Sequence, residues 1–96
     1  MSISLSTHVL DVERGRPASG VRVELWHDEL VASGHTDEDG RISELGAVLE
    51  PGAYRLLFYP PSTFFRSVSV EVLLSEGHYH VPLLISSYSC VSYRGS

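Results

Sequence analysis

The feature that most constrains this chain is its punctuation: short runs in which apolar and polar side chains alternate are cut off, again and again, by Gly, Pro and Asp. A period of two puts successive side chains on opposite faces of an extended strand, whereas an amphipathic helix needs apolar residues three and four apart. Many short strands separated by turn residues build a sandwich or a barrel. With 96 residues there is room for one domain, residues 1–96. A core of that size is small, so association with further copies would add stability.

In the first run Ile3, Leu5, Thr7 and Val9 fall on one face, and Ser4, Ser6, His8 and Leu10 on the other. The first set reads as core. A loop with Gly15, Pro17 and Gly20 leads to Val21, Val23 and Leu25, which alternate with Arg22 and Glu24. Residues 30–36 make a weaker strand, and Asp37-Glu38-Asp39-Gly40 offers a tight turn in which Gly40 takes positive φ and Arg41 starts the return. Residues 44–49 are a poor strand or a short turn of helix. Pro51-Gly52 marks the next turn, before Tyr54-Arg55-Leu56-Leu57-Phe58-Tyr59, which Pro60-Pro61 ends. Val68, Val70, Val72 and Leu74 share a face in residues 67–74, and residues 79–86 and 88–94 supply the last strands. The expectation is an all-β sandwich of seven to eight strands with at most one short helix.

Charge and cysteine usage narrow the function. All seven positive side chains are scattered arginines, against twelve acids and a net charge of −5, which gives no electrostatic basis for a nucleic-acid or anionic-membrane partner. No apolar run is long enough to cross a membrane. Cys90 is the only cysteine, so no intrachain disulfide forms and a reducing compartment suits the chain. The opening residues MSISLSTHVLD lack the basic and apolar regions of a secretory signal, and the expected location is cytoplasmic.

The candidate chemistry lies on the non-core faces. His8 stands opposite the core set of its own strand. In His78-Tyr79-His80-Val81-Pro82-Leu83-Leu84-Ile85 alternation separates Tyr79, Val81, Leu83 and Ile85 from His78, His80, Pro82 and Leu84. An outward histidine is ordinarily just solvated, but two brought together suit proton transfer near neutrality. Arg41 adds a permanent charge able to grip substrate oxygens, or is merely a solvated turn residue. His78 and His80 share a strand face as zinc ligands would, but no third ligand stands at a recognisable spacing. A Gly-rich phosphate loop, a G-x-S-x-G elbow and a distinctive carboxylate pair are all missing. Trp26, Tyr59, Phe64 and Phe65 read as packing residues rather than a stacking platform.

Three motifs resemble a known family. Leu5-Ser6-Thr7-His8-Val9-Leu10-Asp11 with Gly15, Pro17 and Ala18 is similar to the opening motif of the 5-hydroxyisourate hydrolases, which are transthyretin-like proteins. His78-Tyr79-His80-Val81-Pro82-Leu83-Leu84 is similar to their penultimate strand, and Tyr93-Arg94-Gly95-Ser96 to their C-terminal signature. The resemblance implies a transthyretin-like β-sandwich assembled as a homotetramer, with active sites in the channel between dimers. It also implies hydrolysis of 5-hydroxyisourate to 2-oxo-4-hydroxy-4-carboxy-5-ureidoimidazoline in urate breakdown. His8, Arg41 and His80 would be catalytic, Tyr93, Arg94, Gly95 and Ser96 would bind substrate, and no metal or organic cofactor is implied. Either histidine can be the general base on this reading.

The chain departs from that family pattern in its middle, where Pro60-Pro61-Ser62-Thr63-Phe64-Phe65-Arg66-Ser67-Val68 is short, and in the tail segment Ser89-Cys90-Val91-Ser92. Two other functions compete. One is a non-catalytic small-ligand-binding protein on the same fold, for which the His8, Arg41, His80 and tail set is too polar. The other is an adhesion module, because the central strands also resemble the prealbumin-like repeats of secreted multidomain proteins.

Overall fold

The structure is a computed structural model that describes residues 2–95. Ten strands follow one another along it: β1 (Ile3–Asp11), β2 (Arg16–Pro17), β3 (Arg22–His27), β4 (Glu29–His35), β5 (Arg41–Ile42), β6 (Gly52–Tyr59), β7 (Val68–Leu74), β8 (Gly77–His80), β9 (Leu83–Ile85) and β10 (Cys90–Ser92). They form two sheets, and the described residues contain no helix. The expected all-β sandwich is what forms. The count exceeds seven to eight because β2 and β5 are two-residue pairings and the run over residues 79–86 is divided in two.

The first sheet is organised around β1. Along one edge β1 pairs in parallel with β8 and then with β9, and β10 lies antiparallel beyond β9. Along the other edge it pairs antiparallel with β5 and β2. The break between β8 and β9 falls at Pro82, which has no N–H to give the ladder. There Val81 N–H donates to Ser6 O (2.9 Å), and the Thr7 hydroxyl donates to the carbonyl of Val81 (2.6 Å). The second sheet runs β4-β3-β6-β7, all antiparallel.

The core lies between the sheets. Ile3, Leu5, Thr7 and Val9 of β1 are buried as their spacing requires, facing Val23, Leu25, Leu56 and Phe58 of the other layer. Removing each large apolar side chain from water stabilises the fold by about 1.5–3 kcal/mol.

Two segments depart from the sequence reading. Residues 44–49 form bends, not a helical turn. Leu45 N–H donates to Leu5 O (2.8 Å), the side chains of Leu45 and Leu49 are buried in the core, and Gly46 between them has φ +87°. A left-handed residue ends any right-handed helix, so the segment packs against the core as a plug. The turn at Asp37–Gly40 is likewise not a hairpin, because Arg41 pairs with His8 of the other sheet instead of returning beside β4. Asp37 closes it: its Oδ1 accepts from the N–H groups of Asp39 and Arg41, and its own N–H donates to Arg41 O. The turn therefore carries the chain across the sandwich.

Gly40 is the tightest point of that crossing. It has φ +75°, and a Cβ there would stand 2.5 Å from the backbone oxygen of Val9. Gly40→Ala is expected to cost at least about 2 kcal/mol, from the left-handed conformation and the clash with backbone. Thermal unfolding checks this, and a melting temperature equal to that of the parent would show that the turn does not sit against β1 as described.

Candidate active site

Pairing around β1 assembles the polar face. Because side chains of paired residues point the same way, the outward residues of β1 meet those of its neighbours. Ser4 lies opposite His78, Ser6 opposite His80, and His8 opposite Arg41. His8, Arg41 and His80, separated by up to 72 positions in sequence, thus share one face. His8 and His80 are half-buried, and Arg41 and His78 are exposed, so the face is open to whatever covers it.

Hydrogen bonds fix the imidazoles. Nε2 of His8 lies 2.8 Å from the carbonyl of Asp39. A carbonyl only accepts, so Nε2 carries the hydrogen and Nδ1 of the neutral ring is the free lone pair. Ser6 Oγ sits between two rings, 2.7 Å from Nδ1 of His80 and 3.0 Å from Nε2 of His78. Ser4 Oγ lies 2.7 Å from Nδ1 of His78. Among the described residues nothing hydrogen-bonds Nε2 of His80. Burial first, and then the positive charge of Arg41 and the neighbouring rings of His8 and His78, hold the pKa of His80 below the ordinary histidine value. The ring is therefore neutral at neutral pH.

The tail divides. Gly95 bridges to β8, its N–H donating to His80 O (2.7 Å), and a Cβ on Gly95 would lie 2.6 Å from Cδ2 of His80. Only glycine leaves room for that ring, so Gly95 packs directly against His80. Arg94 turns the other way: its guanidinium carbon stands 4.3 Å over the ring of Tyr79, on the inward face of β8. With Tyr93 it lines an open groove of about 320 Å³ beside Val70 and Val72 of β7. In the single chain Tyr93 and Arg94 are thus apart from the histidine face, and Ser96 lies outside the described residues.

Sequence reasoning missed Ser6 and Ser4, whose hydroxyls hold the two rings of β8. The signal was present, since both share a face with His8 by strand alternation. It became meaningful only with the parallel pairing of β1 and β8. Among the described residues no three His, Cys, Asp or Glu side chains gather as metal ligands, and the His78–His80 pair gains no third partner. Cys90 is half-buried on the side of β9 and packs against the core, its thiol pKa raised by burial. Trp26 and Tyr59 are bound up in structure, donating with Arg22 to the carboxylate of Glu24 on the second sheet. Phe64 and Phe65 pack edge to face, with Phe64 also against Tyr88.

Comparison with known proteins gives a consistent picture. Residues 5–95 match the HIUase/Transthyretin family. A protein of Salmonella dublin named 5-hydroxyisourate hydrolase is 43% identical over 109 aligned positions, covering 96% of this chain and 80% of its own length. Rhizobium meliloti has a relative named 5-hydroxyisourate hydrolase 2, 36% identical over 96% of this chain and 95% of its own. The solved structure of Klebsiella pneumoniae 5-hydroxyisourate hydrolase superposes with a TM-score of 0.90 at 36% identity, covering all of both chains.

The depressed pKa of His80 links the site to stability. The unfolded chain takes up a proton at the ordinary histidine value of about 6.5, the folded chain only at lower pH. Between those two values the unfolded state binds more protons, so stability falls as pH drops through that window and is fully present above it. Denaturant unfolding at pH 7.5 and at about pH 5.5 should show this loss, and His80→Gln should reduce it. An equal loss in parent and variant would assign the effect to other groups.

Proposed function

The chain belongs to the HIUase/transthyretin family, and from that membership together with the His8–Arg41–His80 face we infer that it is a hydrolase that opens 5-hydroxyisourate to 2-oxo-4-hydroxy-4-carboxy-5-ureidoimidazoline in urate breakdown. The observation that carries the reading is the convergence of two imidazoles and a guanidinium on one sheet face, in a chain whose relatives are named for this activity. A passive ligand carrier is the weaker reading, since such a protein has no use for a neutral imidazole beside a fixed positive charge.

The proposed chemistry follows from the ring states. His80, neutral and with Nε2 unengaged by the described residues, is the general base that takes a proton from water as its oxygen attacks the ring carbonyl. Arg41 steadies the negative charge that builds on the carbonyl oxygen. His8, its Nε2–H held by Asp39, offers Nδ1 to a substrate N–H and so orients the ring. When the C–N bond breaks, the departing nitrogen takes the bond's electron pair and receives the proton from His80.

The open face calls for a cover. We take the protein to act as a homotetramer in which a neighbouring copy closes the site and the tail Tyr93–Gly95, with Ser96, binds substrate. Support comes from the exposure of Arg41 and from the small core. A cytoplasmic location fits a chain whose lone Cys90 needs no oxidising compartment.

The direct test is whether purified protein speeds the loss of 5-hydroxyisourate generated by urate oxidase. His80→Ala and His8→Ala should each lower turnover about 10²–10⁴-fold, and Arg41→Ala about 10²–10³-fold, with melting temperatures near that of the parent. A His80→Ala variant with nearly full turnover would remove the assigned base. Activity should survive EDTA treatment, and a loss restored by zinc would favour a His78–His80 metal site instead. Deleting residues 93–96 should abolish turnover while lowering the melting temperature little, and light scattering should show a tetramer in the parent. An active monomer would break the link between assembly and catalysis.

A further inference from the structure

A general base usually ends its step as a cation, and here the base stands beside a cation already. Arg41 on β5, His8 on β1 and His78 on β8 all face His80, while the guanidinium of Arg94 lies on the far side of the strand over Tyr79. Proton uptake that left an imidazolium at His80 would add positive charge to a partly desolvated site that repels it. The hydrogen bonds around Ser6 offer another outcome.

We propose that Ser6 and His78 are positioning residues that connect His80 to the protein surface, the side chains of His80, Ser6, His78 and Ser4 forming one hydrogen-bonded row through which its proton is exchanged with solvent. The contacts are Nδ1 of His80 to Ser6 Oγ (2.7 Å), Ser6 Oγ to Nε2 of His78 (3.0 Å), and Nδ1 of His78 to Ser4 Oγ (2.7 Å). Each ring uses one nitrogen towards Ser6, and Ser6 is buried at 8% exposure while His78 is exposed. The row runs from the inside of the face to water. The proposal rests on the hydrolase reading above and deepens it.

The row has two directions and the reaction uses both. In the resting direction the Nδ1 hydrogen of His80 points to Ser6, the Ser6 hydrogen to Nε2 of His78, and the Nδ1 hydrogen of His78 to Ser4. As Nε2 of His80 takes a proton from water, each of these hydrogens moves one place outward and Ser4 gives its own to solvent. Hydroxide is thereby added to the carbonyl, one proton leaves the protein, and no ring stays charged. Every hydrogen bond now points inward, so His80 carries its hydrogen on Nε2, the form that donates to the departing nitrogen. That donation draws one proton back from solvent through Ser4 and restores the start.

The test compares the parent protein with Ser6→Ala, Ser6→Thr and His78→Ala, in kcat, KM and the dependence of kcat on the fraction of deuterium in the solvent. Ser6→Ala should lower kcat about 10-fold, part of the usual contribution of acid–base catalysis, with KM unchanged. The curved deuterium dependence of several protons moving together in the parent should become linear. Ser6→Thr should keep the parent's rate and curve, and imidazole in the buffer should restore His78→Ala. A Ser6→Ala protein with the parent's kcat and curve overturns the proposal, and so does a slow one whose curve is unchanged. Should the parent not turn over 5-hydroxyisourate, the hydrolase reading fails and nitrogen NMR of the imidazoles decides the relay. Fixed tautomers at His78 and His80 that Ser6→Ala releases would sustain it, and tautomers indifferent to Ser6→Ala would overturn it.

Discussion

Everything in this molecule depends on the pairing of β1 with β8 and β5. That strand lies inside its sheet, so both edges are hydrogen-bonded, and its inward face carries Ile3, Leu5, Thr7 and Val9 into the core. Burial of that face fixes the register, because a slip by one residue would turn four core side chains to solvent and bring Ser4, Ser6 and His8 inward. Once the register is fixed, the outward positions have no freedom either. Ser6 must stand beside His80 and His8 beside Arg41.

On the proposed assignment, stability and chemistry draw on the same strand through opposite faces. Two smaller devices hold the neighbours in place. Pro82 interrupts the ladder between β8 and β9, and the Thr7 hydroxyl and Ser6 carbonyl take up the groups of Val81 beside it. Asp37 closes the crossing turn so that Gly40 rests on Val9 and Arg41 arrives at His8. Neither touches a reacting atom, yet each sets the position of one that would. Gly95 acts similarly from the other side, where its missing side chain leaves space for the His80 ring.

The strands were legible in the sequence because their information is local. Alternation in residues 3–10 and around Val23 predicts which side chains are buried, and the outward placement of His8 and His80 follows from the same rule. What was not legible is whatever depends on distant partners. An Asp-Gly turn has the same composition whether it closes a hairpin or crosses between sheets, and only the contact of Arg41 with His8 distinguishes them. Residues 44–49 carry helix-compatible side chains, but burial of Leu45 and Leu49 outweighs that preference. Ser6 looked like an ordinary strand serine because the partners that give it meaning lie 72 and 74 positions away. The inward turn of Arg94 onto Tyr79 was hidden for the same reason. The family motifs at the two ends of the chain nominated candidate residues without saying how they meet.

The two-faced character of β1 has an evolutionary corollary. Substitutions at its outward positions are nearly invisible to the core, so a descendant of this chain could lose His8 or Ser6 and still fold. Selection for a stable protein and selection for a working one act on alternate letters of the same nine-residue segment. A scaffold built this way can shed one activity and accumulate another while remaining folded at every step, and the odd-numbered letters alone would record its ancestry.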